Sequence, residues 1–296
     1  MRILVTGATG MLGSEVCQEL LPDNEVIGIY LKNREMGAFP FKMILIDITD
    51  SSGISNVICQ LSPEVVIHTA AYTDVDGCEL DPDKAFLVNT QGTRNVALAC
   101  KKCDAVMIYI STDYVFDGQA NVPYTEDDVP HPINVYGQSK CEGEKEVTNI
   151  LEKWFIVRTA WLFGIGGRNF VSTVLQLARQ SQELKVVKDQ FGSPSYCVDV
   201  AKQIRKMVVA DAELESQNVI SYGIYHVTNK GGCSRYEFAK EILKYHHNSV
   251  NIIPVVSGEF PRPAMRPRYT VLSSKRLVED SMHEWQYALR EYLSGK

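Results

Sequence analysis

Two residue patterns alternate along the first 160 residues of the chain. Short runs rich in β-branched residues lie at 2–6, 25–30, 42–47, 64–71, 105–112 and 154–161. Between them, segments 11–21, 51–61, 82–102 and 134–151 repeat apolar residues at helical spacing. Strands that are apolar almost throughout are typical of sheets buried on both faces. The alternation therefore predicts an α/β fold with a Rossmann-type, doubly wound parallel sheet, and ligands at the carboxyl ends of its strands.

The alternation loosens after residue 160. Helical segments near 169–180, 198–209, 234–246 and 283–293 are separated by strand-like runs near 184–189 and 223–228 and by the proline-rich loop FPRPAMRPRY. We therefore expect a first domain over residues 1–160 and a smaller C-terminal lobe over residues 161–296. Segments near residues 190–228 are expected to join the first domain.

Composition excludes several classes of protein. Apolar residues make up 45% of the chain and charged residues 22%, as in ordinary globular proteins. The net charge of −6 gives no general attraction to nucleic acid or to an anionic membrane. Because the N-terminus lacks a signal-peptide pattern and no apolar run reaches the length of a membrane span, we expect a cytoplasmic protein. The eight cysteines mostly fall within apolar segments, so we expect reduced structural thiols and no metal site.

The sequence VTGATGMLG places three glycines directly after the first strand and into the first helix. Gly7, Gly10 and Gly13 would permit a tight turn and close approach of a diphosphate to backbone N–H groups. Met11 and Leu12, between the last two glycines, would lie beside the same diphosphate. This segment predicts a dinucleotide site, which makes residues 1–160 a NAD(P)-binding domain.

Residues after the second strand indicate which nicotinamide cofactor fits. An acidic residue there would bind the adenosine ribose of NAD, whereas a basic residue favours the extra phosphate of NADP. Here the strand is followed by Lys32 and Arg34, with no acidic residue before Glu35. We therefore predict NADPH, with NADH as the alternative. Asp47 and Ile48, after the third strand, would lie near the adenine, although Asp47 could equally cap a helix.

Three tyrosine and lysine pairs have the spacing that places both side chains on one helical face: Tyr136 with Lys140, Tyr236 with Lys240, and Tyr292 with Lys296. Context selects the first pair, because Ser111 and Thr112 end the fifth strand and Tyr136 opens the helix that follows. A tyrosine hydroxyl can give a proton to a ketone during hydride reduction. Lys140 would stabilise the phenolate, and Thr112 would polarise the carbonyl, with Ser111 as its neighbour.

Several motifs together resemble the extended short-chain dehydrogenases/reductases. These are GATGMLG, HTAAYTDVDGCE, VNTQGTRNVA, STDYVFDG, VYGQSKCEGE and RTAWLFG. STDYVFDG and DQFGSP are similar to the branch that reduces dTDP-4-keto-6-deoxyhexoses. The resemblance implies NAD(P)H-dependent reduction of dTDP-4-dehydro-L-rhamnose to dTDP-L-rhamnose, a step in the biosynthesis of cell-surface polysaccharides. It is also compatible with a homodimer, and it implies a nucleotide-sugar partner rather than nucleic acid or membrane.

The resemblance also assigns roles to individual residues. It implies that Tyr136 is the proton donor, that Lys140 is its partner, and that Thr112 and Asp113 contact the substrate. It places Ala70, Ala71 and Thr73 beside the cofactor and Trp161 beside the sugar. Core packing is the alternative for Trp161. Residues expected to hold the nucleotide diphosphate are Asn169, Gln190, Arg262, Arg266 and Arg268, with solvated surface arginines as the alternative.

Two other functions fit the same motifs. One is a non-catalytic, NADP-binding regulatory subunit like the methionine adenosyltransferase β subunit, which could keep both the glycine turn and the tyrosine and lysine pair. The other is a reductase or epimerase of another nucleotide sugar. The sequence RPRYTVL departs from the Arg-Pro followed by Asn-Ser that is typical of the branch near this point.

Overall fold

The computed structural model describes residues 1–31, 39–212, 221–245, 250–277 and 282–295. Within these ranges a seven-stranded parallel sheet has the order β11-β6-β5-β4-β1-β2-β3, and six further strands form three pairs, β10-β7, β12-β9 and β13-β8. The strands are β1 (Arg2–Thr6), β2 (Glu25–Tyr30), β3 (Lys42–Leu45), β4 (Val65–His68), β5 (Val106–Thr112), β6 (Trp154–Thr159), β7 (Leu162–Phe163), β8 (Glu183–Val187), β9 (Phe191–Gly192), β10 (Ser195–Tyr196), β11 (Gly223–His226), β12 (Cys233–Ser234) and β13 (Asn251–Val255). The predicted doubly wound parallel sheet is confirmed.

Helices cover both faces of this sheet. They are α1 (Met11–Leu20), α2 (Ser51–Leu61), α3 (Val75–Leu80), α4 (Pro82–Phe86), α5 (Thr93–Lys102), α6 (Val135–Ile150), α7 (Phe170–Gln180), α8 (Cys197–Ala212), α9 (Arg235–Leu243) and α10 (Trp285–Ser294). In β1, Ile3 and Val5 pack into the core beneath α1 and α8, whereas Leu4 packs beneath α2 and α5. Side chains alternate across a strand, so one apolar strand contributes to both cores. Each such buried side chain stabilises the fold by roughly 1.5–3 kcal/mol.

A π-helical turn at Leu87–Gly92 divides the long helix that the sequence predicts at residues 82–102. At this turn the Asn89 side chain accepts a hydrogen bond from the Tyr72 N–H at 2.8 Å and donates to the Ser139 hydroxyl at 3.0 Å. The consequence is that the loop after β4 is fixed to both α6 and the α4–α5 segment.

The second half of the chain forms a smaller cluster and also returns to the sheet. Phe163, Tyr196, Phe238, Trp285 and Tyr292 pack together between β7, β10, α9 and α10. Strand β11 pairs in parallel with β6, so the seventh strand of the sheet comes from this half. The C-terminal lobe and the sheet are thus directly connected.

Among the described residues, none of the helices has the length and hydrophobicity that crossing a membrane would require.

Candidate active site

A cavity of about 670 Å³ lies at the carboxyl ends of β1 to β6. Its wall includes the glycine turn after β1, the loops after β3 and β4, the end of β5 and the start of α6. The structure brings together here the predicted residues Gly7, Gly10, Met11, Leu12, Gly13, Asp47, Ile48, Ala70, Ala71, Thr73, Ser111, Thr112, Asp113, Tyr136, Lys140 and Trp161.

The glycine turn forms a cradle that fits a dinucleotide diphosphate. Gly7 has φ of +69°, which glycine adopts without strain. A β-carbon at Gly13 would lie 2.3 Å from the Gly7 carbonyl oxygen, so any larger residue would displace the turn. Gly10 is the N-cap of α1 and has no side chain to cap the first N–H groups of the helix. Those N–H groups and the helix dipole are therefore available to phosphate oxygens.

The opposite end of the cavity is suited to an adenosine. The Asp47 carboxylate accepts a hydrogen bond from the Thr49 N–H at 2.9 Å, so it shapes the loop after β3 while lining the cavity. Ile48 is buried beside Gly92. Lys32 and Arg34, on which the predicted preference for NADPH depends, lie outside the described residues. The neighbouring Leu31 lines the cavity.

Tyr136 occupies the first turn of α6, where the N-cap residue Asn134 fixes its position. The Asn134 side chain accepts from the Gly137 N–H at 2.8 Å and donates to the Met265 carbonyl at 2.8 Å, which ties α6 to the C-terminal lobe. Burial raises the pKa of the Tyr136 phenol, and the Thr112 hydroxyl beside it partly opposes this rise. The phenol is therefore protonated at neutral pH.

Lys140 lies one turn further along α6 and is almost fully buried. Its Nζ donates to the Ile110 carbonyl oxygen at 2.6 Å and lies 4.0 Å from the centroid of the Tyr109 ring. Burial lowers the pKa of Lys140 to about 7, and the Glu144 carboxylate opposes this fall. The ammonium thus points to strand β5, and it would act on Tyr136 through its charge.

The two hydroxyls at the end of β5 have different surroundings. The Ser111 hydroxyl donates to Glu144 Oε1 at 2.5 Å, within a buried pair that Glu144 forms with Arg158. The Thr112 hydroxyl donates to Asp113 Oδ1 at 3.0 Å. Thr112 is therefore beside the phenol and Asp113, whereas the Ser111 hydroxyl points into the core.

Asp113 is a buried carboxylate at the cavity wall. Besides Thr112, the Thr270 hydroxyl donates to it at 2.5 Å, which links the end of β5 to the C-terminal lobe. Burial raises the pKa of Asp113 to about 6, although these hydrogen bonds and the charge of Arg235 lower it.

The residues predicted to hold the diphosphate do not line this cavity. Asn169 caps α7 by accepting from the Ser172 N–H, and Gln190 donates to the Ser257 hydroxyl at 2.9 Å. Arg262 and Arg266 both pair with Asp76, at 3.2 and 2.8 Å. A second cavity, of about 750 Å³, is lined by Arg266 and Arg268 together with the loop at residues 117–121.

Arg235 lines the main cavity, and the sequence analysis did not identify it. It is the first residue of α9, after the N-cap Ser234, whose hydroxyl accepts from the Glu237 N–H at 3.1 Å. The sequence predicts a helix start near residue 234, and the capping pattern Ser-x-x-Glu agrees with it. It does not show that the helix start faces the ends of β5 and β6, because that depends on the packing of α9 in the C-terminal lobe.

Comparison with known proteins gives consistent matches along the whole chain. A family model described as RmlD substrate binding domain matches residues 1–295. The spore coat polysaccharide biosynthesis protein SpsK of Bacillus subtilis is 39% identical over 100% of this chain and 98% of its own length. A dTDP-4-dehydrorhamnose reductase of Streptomyces griseus is 37% identical over 98% of this chain and 92% of its own. A crystal structure of dTDP-4-dehydrorhamnose reductase from Bacillus anthracis in complex with NADP superimposes with a TM-score of 0.87 at 37% identity, covering 100% of this chain and 99% of that one.

Proposed function

We infer the function from one premise, that the chain belongs to the family of the RmlD substrate binding domain. We propose that it reduces dTDP-4-dehydro-L-rhamnose to dTDP-L-rhamnose. The chain is an NAD(P)H-dependent oxidoreductase, with NADPH as its cofactor and NADH as the alternative. The observation that carries the proposal is that Thr112, Tyr136 and Lys140 share one cavity with the glycine cradle. A ketone held between the Thr112 hydroxyl and the Tyr136 phenol would lie in reach of a nicotinamide.

The residues of the chain divide the reduction between them. The reduced nicotinamide, when bound, supplies the hydride to C4 of the sugar. The Tyr136 O–H bond breaks and its proton goes to the ketone oxygen, so that the ketone becomes an alcohol and Tyr136 a phenolate. The Thr112 hydroxyl turns from Asp113 to the same oxygen and stabilises the negative charge that develops there. The phenolate regains a proton from solvent before the next turnover.

Two features of the site match this division of roles. Because burial raises the pKa of Tyr136, the phenol enters the reaction with its proton in place. Proton transfer then creates a phenolate in a buried position, where a nearby cation is strongly stabilising. Lys140, on the same helical face, is such a cation when it is protonated, and its hydrogen bond to the Ile110 carbonyl holds its side chain in position.

The test is a coupled assay that offers the purified protein dTDP-4-dehydro-L-rhamnose with NADPH or NADH and follows cofactor oxidation and sugar product. We expect one NADPH consumed for each dTDP-L-rhamnose formed. Tyr136→Phe removes the proton donor and should lower turnover by about 100- to 10,000-fold while cofactor binding is retained.

Tyr236→Phe is a matched control, because Tyr236 and Lys240 have the same spacing but lie outside the cavity. It should leave turnover unchanged. Tight cofactor binding without oxidation by any dTDP-keto-sugar would favour a regulatory subunit. Product formation without net cofactor consumption would favour an epimerase.

The homodimer and the cytoplasmic location remain part of the proposal. Eight free thiols, six of them buried, support a reducing compartment, because oxidising compartments favour disulfides. Light scattering at micromolar concentration would measure the oligomeric state. Cell fractionation with an antibody would measure the location.

A further inference from the structure

Arg235 is held in a defined position beside the catalytic residues. Its guanidinium carbon lies 3.5 Å from the centroid of the Trp161 ring and 4.9 Å from that of Phe170. A planar guanidinium stacked on aromatic rings keeps its N–H donors free at the edge of the plane. The side chain is therefore oriented by packing, and its donors remain available to a ligand.

The charge of Arg235 is less compensated than that of Arg262 and Arg266. Arg262 and Arg266 share the Asp76 carboxylate. Within the described part of the chain, the Arg235 guanidinium has no hydrogen bond and no ion pair within 4.0 Å. The Asp113 carboxylate also acts on its charge, but that carboxylate already accepts hydrogen bonds from Thr112 and Thr270. A partly buried cation whose N–H donors have no protein partner is suited to an anionic or oxygen-rich ligand.

Arg235 also changes what Trp161 can contribute. Trp161 has φ of 43°, an uncommon conformation for a residue other than glycine. A β-carbon at Gly192 would lie 2.4 Å from Trp161 Cε2, so the indole packs closely on that backbone, while Arg235 covers the ring from the cavity. The indole thus supports the guanidinium. A stacking platform for the sugar would have to displace Arg235.

We propose that Arg235 binds the β-phosphate of the nucleotide-sugar substrate and so sets the distance between the diphosphate and the ketone. This inference rests on the proposed function. In a pyranose, the phosphate-bearing C1 lies across the ring from C4. A ketone at Thr112 and Tyr136 would therefore place the β-phosphate one ring width away, and Arg235 lines the same cavity. A guanidinium binds two phosphate oxygens in a fork, which orients the sugar as well as holding it.

The experiment measures binding of dTDP, dTMP and dTDP-L-rhamnose to the NADPH-loaded full chain by displacement calorimetry. Arg235→Met keeps a side chain that can pack on Trp161 but removes the donors. We expect dTDP and dTDP-L-rhamnose to bind about 10- to 100-fold more weakly, as for loss of a charged hydrogen bond, and dTMP to bind as before. Arg235→Lys keeps the charge without the fork and should lose less affinity than Arg235→Met.

Arg179→Met, at an exposed arginine in the last turn of α7, is the matched control and should change none of the three affinities.

Unchanged dTDP affinity in Arg235→Met would overturn the inference. A loss confined to dTDP-L-rhamnose would overturn it as well, since the contact would then be with the sugar. An equal loss for dTMP and dTDP would also overturn it, because that pattern indicates a change of pocket shape. Should Arg235→Met not fold, Arg235→Lys with dTDP and dTMP gives the same discrimination. Keto-sugar reduction by the wild type is measured separately, so a failed contact and a failed activity are distinguishable.

Discussion

Replacing Lys140 by methionine tests the central electrostatic feature of the site. Burial lowers the pKa of Lys140 from 10.5 to about 7 in the folded chain, whereas the unfolded chain keeps the ordinary value. Between these two pH values the unfolded state binds one more proton than the folded state, so stability rises with pH. Integrated from pH 7 to pH 9, the gain in unfolding free energy is about 2 kcal/mol. Methionine has a similar length and does not titrate, so Lys140→Met loses this gain.

The assay is urea unfolding of the cofactor-free wild type and of Lys140→Met at pH 7, 8 and 9, followed by circular dichroism. The quantity of interest is the difference in unfolding free energy between the two proteins, because groups common to both cancel. We expect this difference to move in favour of the wild type by about 2 kcal/mol across the range. The variant should also lose most turnover at every pH. A stability difference that stays constant from pH 7 to pH 9 would refute the assignment of Lys140 as a desolvated cation.

Three further substitutions test other parts of the site. Gly13→Ala should weaken NADPH binding at least tenfold, about 1.4 kcal/mol, because its β-carbon would meet the Gly7 carbonyl oxygen. Gly258→Ala is the control, since a β-carbon there would meet open space and should leave binding unchanged. Calorimetry with NADPH measures both affinities. Glu144→Ala leaves Arg158 buried without its partner and should lower the unfolding free energy, measured in urea, by about 3–5 kcal/mol. A decrease smaller than that expected for losing a solvent-exposed ion pair would contradict the buried network. Lys32→Ala should weaken NADPH more than NADH in fluorescence titrations, and equal losses would remove the basis for the cofactor preference.

The parts of the fold that follow from short-range patterns could be read from the sequence. Strands β1 and β2 have the predicted bounds, since apolar residues run through most of each strand. Strand β4 ends at His68, three residues before the predicted end. Residues 69–71 leave the sheet because this loop closes on the glycine turn, where the Thr69 hydroxyl donates to the Thr6 carbonyl at 2.7 Å. Such a long-range contact has no signature in strand periodicity.

The site shows the same division between local and long-range information. The glycine turn and the Tyr136 and Lys140 pair have local spacing rules, and all of them line the cavity. The position of Arg235 has no such rule, because its helix and its aromatic neighbours come from different segments of the chain. Arg262 and Arg266 show the same limit. Basic residues suggest a phosphate site in sequence, but sequence does not show that both pair with Asp76, far away along the chain.

The parallel pairing of β11 with β6 has a consequence for biosynthesis of the chain. On the ribosome, β1 to β6 are complete once residue 159 has been made, but the outer edge of β6 has no neighbour until residues 223–226 emerge. Its backbone amides and carbonyls then form an open template for pairing with another nascent chain. Truncation after residue 160 would make that exposure permanent. An excised cofactor-binding fragment would therefore need β11 grafted onto it to avoid aggregation.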